Sequence, residues 1–65
     1  MTWERIETRW TRVKGQIQEN WARLSDEDMD RICGKRELLL GRIQELYGVH
    51  RIDAERQVDR FLHGY

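Results

Sequence analysis

Apolar residues recur along the first third of the chain at Trp3, Ile6, Trp10, Val13, Ile17, Trp21 and Leu24, in gaps of three and four. That spacing stacks them on one face of an α-helix and leaves Arg5, Arg9, Arg12, Gln16, Glu19 and Arg23 mostly elsewhere. No proline interrupts the stripe and Thr2 can cap it, so a first helix is expected over about residues 3–22. Ser25, followed three positions on by Asp28, has the pattern of a capping box, and Asp26, Glu27 and Asp30 suit the positive end of a helix dipole. A second helix is therefore expected over about residues 26–33, burying Met29 and Ile32, with Cys33 half-buried and Gly34 as the break. A third helix, about residues 35–47, buries Leu39, Ile43 and Leu46, carries Leu38, Leu40 and Tyr47 on its flanks, and stops at Gly48. A fourth, about residues 52–62, buries Ala54, Val58, Phe61 and Leu62. The second and fourth helices are too short to persist without docking on the others.

The pattern contains an echo. Gly15-Gln16-Ile17-Gln18-Glu19-Asn20-Trp21-Ala22 returns 26 positions later as Gly41-Arg42-Ile43-Gln44-Glu45-Leu46-Tyr47-Gly48. Each copy closes a long helix and puts its isoleucine toward the core. The chain thus divides into two tandem helix-turn-helix units, the first helix pairing with the second and the third with the fourth. Gly15 and Gly41 each cost a helix roughly 1 kcal/mol relative to alanine, and their matched positions suggest two helices crossing where no side chain fits. The expected fold is all-α, one domain over residues 1–65, with two α-hairpins packed together.

Composition narrows the partners more than it narrows the fold. At 65 residues roughly 60% of the unfolded surface is buried, so with 38% hydrophobic against 37% charged residues the core must be thin. Twelve basic residues balance twelve acidic ones, and no basic excess advertises a nucleic-acid binder. A single cysteine excludes an internal disulfide and fits a reducing compartment. The opening residues have no leader pattern, and the longest aliphatic run, Leu38-Leu39-Leu40, is far below the roughly 20 residues needed to span a bilayer. A cytoplasmic protein is expected.

Chemistry-bearing residues do not converge in the sequence. Carboxylates at successive helix positions diverge, so capping explains Asp26, Glu27, Asp28 and Asp30 better than a metal does. His50 and His63 have no partner at helical spacing for zinc, and Cys33 has no nearby histidine to activate it. Gly34-Lys35 lacks the upstream glycine and following hydroxyl of a phosphate loop. No catalytic residue, cofactor or metal ligand is assigned. Trp10 and Trp21 are expected in the core. Trp3, Arg5, Arg9, Phe61 and Tyr65 are the candidate partner surface, because an exposed tryptophan beside a charged edge is a common anchor.

Trp10-Thr11-Arg12-Val13-Lys14-Gly15, Trp21-Ala22-Arg23-Leu24-Ser25-Asp26, Gly34-Lys35 and Gly41-Arg42-Ile43-Gln44-Glu45-Leu46-Tyr47-Gly48 occur in an order that resembles the CsbD-like bacterial stress-response proteins, over about residues 8–60. The resemblance implies a small hydrophilic protein made under general stress, folded as two α-hairpins packed crosswise, with no established activity, ligand or catalytic residue. It departs from the family's lysine-rich habit at Arg12, Gln16, Gln18 and Arg42. The leading expectation is a non-enzymatic stress-response protein acting through its charged surface or a weak protein partner, monomeric or weakly dimeric. An interaction module, homo-oligomeric or adaptor-like, is the alternative. A nucleic-acid role built on the edge of Arg5, Arg9 and Arg12 ranks third.

Overall fold

The computed structural model describes residues 2–64, and the expectations placed on Met1 and Tyr65 lie outside the described residues. Among those residues there are five helices and no strand: α1 (Trp3–Thr8), α2 (Trp10–Asn20), α3 (Asp26–Ile32), α4 (Arg36–Tyr47) and α5 (Arg51–Gly64). All five contribute to one core, in which Ile6, Val13, Ile17, Met29, Ile32, Leu39, Leu40, Ile43, Ala54 and Val58 are almost wholly removed from water. Trp21 and Leu24 close its edge from the loop after α2, with Trp3, Trp10, Leu46, Phe61 and Leu62 packed part-buried around it. Both isoleucines of the echo, Ile17 and Ile43, are at 0% exposure, as their period requires.

The expected first helix is broken at Arg9, whose φ of −108° and ψ of 26° leave the helical region. The apolar stripe runs through the break without a fault. Its cause is local: the Thr8 hydroxyl donates to the Glu4 carbonyl at 2.6 Å, competing with the backbone ladder in the way that bends helices. The chain restarts on a tighter bond, Arg12 N–H to the Arg9 carbonyl at 2.9 Å, and α1 leaves the axis of α2. Ile6 enters the core and Trp3 reaches the turn between α3 and α4. There the Trp3 indole N–H donates to the Gly34 carbonyl at 2.6 Å.

The α3–α4 turn is made by two successive left-handed residues, Cys33 at φ 44° and Gly34 at φ 82°. Cys33 is therefore not the half-buried helical residue expected. It is an exposed C-cap, with its thiol free. Gly34 is required twice, because a side chain is strained at that φ and because a Cβ there would stand 3.0 Å from Glu7 Cγ and 3.2 Å from Glu7 Cα. Gly48 ends α4 at φ 62° by the expected glycine stop.

Of the two expected helix pairings, the third with the fourth is present as α4 with α5, and the first with the second gives way to α3 with α4. The closest backbone neighbours are α4 with α5 and α3 with α4, so α3 leans mainly on the helix that follows it. Its link to α2 is polar: the Gln18 side-chain amide donates to Asp26 Oδ1 at 3.0 Å and to the Leu24 carbonyl at 3.3 Å. The close crossing expected at Gly15 and Gly41 is absent, since a Cβ built at either glycine meets nothing within 4 Å. Gly15→Ala and Gly41→Ala should each raise stability by about 0.5–1 kcal/mol, read as a higher urea midpoint with unchanged slope. Gly34→Ala should lower that midpoint, and a neutral Gly34→Ala would refute the close approach of α1.

Candidate interaction surface

The residues expected at a partner surface differ in exposure. Trp3 is half-buried, and its indole N–H is spent on Gly34. Phe61 is half-buried against Trp21, with ring centroids 5.7 Å apart and planes tilted by 55°. Trp10 is half-buried rather than a full core residue. Arg5 and Arg9 are exposed, as expected. Tyr65 lies outside the described residues. Trp21 is held by both chemistries open to an indole, since its ring is buried and its N–H donates to Gln57 Oε1 at 2.9 Å.

The best-built polar site is Asp28, at 6% exposure. Its Oδ2 accepts the Ser25 backbone N–H at 3.0 Å, while its own backbone N–H donates to Ser25 Oγ at 3.1 Å, which completes the expected capping box. Its Oδ1 accepts from Arg42 Nε at 2.7 Å, and Arg42 Nη1 reaches Glu45 at 2.6 Å. A residue predicted only as a cap therefore also ties α3 to α4. The Ser25 N–H, and then the Arg42 guanidinium, hold the Asp28 carboxyl below the ordinary carboxylate range. On the next face Arg51 joins Glu37 and Glu55, and these contacts with Arg51 hold the Glu37 carboxyl down as well. Arg36 and Asp59 add a looser contact at 3.7 Å between α4 and α5.

Arg23 was not singled out by the sequence, yet it secures the end of α4. Its guanidinium donates to the Leu46 carbonyl at 2.9 Å and lies 5.3 Å from the Tyr47 ring centroid, and its backbone N–H donates to the Tyr47 hydroxyl at 3.1 Å. No spacing rule flags an arginine in a loop that caps a helix more than 20 residues away. His63 Nδ1 lies 2.9 Å from the Asp59 carbonyl. Among the described residues no three metal-ligating side chains converge, and no helix is long and apolar enough to cross a membrane. The ion pairs that are formed brace α3, α4 and α5.

These features define a small all-α domain with an ion-paired surface, and comparison with known proteins gives it a family. The chain belongs to the UPF0337 family. It is 44% identical over 63 residues to a UPF0337 protein of Nitrosomonas europaea, covering 97% of this chain and 67% of that one. It is 47% identical over 49 residues to the UPF0337 protein YjbJ of Escherichia coli K12, covering 75% of this chain and 71% of that one. A UPF0337 protein of Protochlamydia amoebophila is 40% identical over 57 residues, covering 88% and 86%. No family model and no solved structure matches the chain.

The lowered carboxyl of Asp28 fixes the sign of a pH effect. Its stabilisation is fully present above the unfolded value of about 3.9 and is lost as pH falls through the lower folded value. Wild-type protein should lose stability below about pH 4, and Asp28→Asn should be less stable at neutral pH with a flatter acid limb in thermal melts. Identical acid limbs for the two proteins would show that Asp28 is not the group responsible.

Proposed function

We propose that the chain is a non-enzymatic bacterial stress-response protein of the cytoplasm, working through its hydrophilic charged surface or through a weakly held protein partner. The reading rests on the ordered motifs shared with CsbD-like proteins, and the surface chemistry supports it. The single observation that carries it is how the surface charges are used. Arg42, Arg51 and Arg36 are engaged with Asp28, Glu45, Glu37, Glu55 and Asp59 across α3, α4 and α5. Charges arranged this way brace helices and hold water, and they leave little chemistry poised for a substrate. With a mean hydropathy of −0.90 and a formal net charge of zero, such a surface stays hydrated without drawing in ions over long range.

A second reading, a homo-oligomeric or adaptor module, is favoured by two aliphatic side chains left in water, Leu38 at 49% and Ile52 at 65% exposure. Sedimentation equilibrium distinguishes the two. Concentration-dependent dimers abolished by Leu38→Lys and Ile52→Lys support the module, whereas a strict monomer rejects its homo-oligomeric form.

The stress-response reading is tested by deleting the gene and measuring survival through osmotic shock, acid and prolonged starvation. Survival should fall in the mutant and return with wild-type protein supplied in trans. Equal survival under every stress, or an enzymatic turnover by the pure protein that one polar substitution abolishes, would overturn it.

A further inference from the structure

The charge balance of the whole chain hides a division within it. Residues 2–24 carry five cations against three carboxylates, while residues 25–64 carry seven against nine. The ion pairs among the described residues all join groups on α3, α4 and α5. Arg5, Arg9 and Arg12 are exposed and have no carboxylate partner among those residues. Arg9 and Arg12 line one notch at the break, and Arg5 stands one turn before Arg9 on α1. The first turn of α2 holds no acidic residue, so Arg12 sits there against the preference of the helix dipole. The nearby Glu7 is turned toward Gly34.

This edge is concave. Thr8, Arg9, Thr11 and Arg12 line a shallow notch at the break between α1 and α2. One turn beyond Arg12, Gln16 lines a second groove with Asn20, Gln57 and Arg60 over the Trp21–Phe61 ring pair. No carboxylate lines either groove. From Arg12 to Gln16 the edge runs about 6 Å at the helical rise of α2, with Arg60 in the groove at its far end. The surface thus offers guanidinium groups and hydroxyls at the notch and side-chain amides in the groove beyond it.

We propose that this edge binds single-stranded nucleic acid, the arginines taking successive phosphates and the amides of Gln16, Asn20 and Gln57 meeting sugars and base edges. Guanidinium forks match phosphate oxygens bidentately, and amides both donate and accept, as bases require. An acidic peptide would meet the same guanidinium groups with carboxylates, which lack the tetrahedral array of oxygens that a phosphate offers to successive forks. A duplex is disfavoured because the break at Arg9 denies its major groove a straight helix face. The contact is electrostatic and weak, which a formal net charge of zero permits once the cations are segregated. The proposal goes beyond the stress-response reading and does not depend on it: a protective protein that binds no strand would satisfy that reading and refute this one.

The test is fluorescence anisotropy of short labelled oligothymidylate and oligouridylate titrated with the whole folded chain, repeated over a salt series. Binding at low salt should weaken with a log–log slope of about −2 to −3, as expected for three or four neutralised phosphates on a single strand. The double variant Arg9→Gln, Arg12→Gln should bind at least about tenfold more weakly, with a slope shallower by about 1.4. Arg56→Gln, an exposed cation on α5 that lines neither groove, should bind like wild type, and circular dichroism should show both variants folded. The proposal is overturned by no binding at the lowest salt, by equal losses in the two variants, by tighter binding to duplex DNA, or by polyglutamate competing as well as unlabelled oligonucleotide.

Discussion

A side chain at position 34 is strained by its φ of 82° and crowded by Glu7, and the close seat of the amino-terminal segment depends on that position staying bare. The α3–α4 turn needs a left-handed residue after Cys33, and the backbone of Glu7 approaches within 3.2 Å of where a Cβ would stand. With the face of the turn bare, the Trp3 indole reaches the Gly34 carbonyl and α1 lies down beside it. Ile6 then fills the core, and the polypeptide must change direction before α2. The Thr8 hydroxyl and the relaxed backbone at Arg9 supply that change. The bare turn at Gly34 and the break at Arg9 together set where α1 lies.

On the other side of the molecule the organising group is Asp28. A thin core leaves a 65-residue chain dependent on its polar contacts, and this carboxylate serves a helix cap and an inter-helix bridge at once. Arg23 works in a similar way at the end of α4, where a guanidinium, a phenol ring and a carbonyl meet. The polar surface of α3 to α5 includes three ion pairs that hold helices against one another, Arg42 with Asp28, Arg51 with Glu37 and Arg36 with Asp59. That of α1 and α2 has none among the described residues, which makes the two halves of a net-neutral chain physically unlike.

Much of the helical architecture was legible from local chemistry. Ser25 and Asp28 announced the start of α3, Gly48 announced the end of α4, and the three-and-four spacing picked out Val13, Ile17, Leu39, Ile43 and Val58 correctly as core. The break at Arg9 was hidden because a hydroxyl choosing a carbonyl leaves no mark on an apolar pattern. The echo misled at Gly15 and Gly41, where repetition suggested a crossing and the structure offers open space. Cys33 was misplaced because a non-glycine residue rarely takes a left-handed conformation. At the candidate surface, Arg5 and Arg9 were read correctly as exposed. The fate of Trp3 depended on a partner 31 residues away, beyond the reach of any local rule.

The order of the helices also bears on how quickly the chain finds its structure. The close backbone pairings join neighbours in sequence, α1 with α2, α3 with α4 and α4 with α5. Contacts between near neighbours require little chain entropy to be lost before they form, so this topology belongs among the fast folders. The helices α3, α4 and α5 can assemble as a local unit. The distant clasps, Trp21 to Gln57 and Trp3 to Gly34, join groups 36 and 31 residues apart and so carry a larger loop-closure cost than the neighbouring helix pairs.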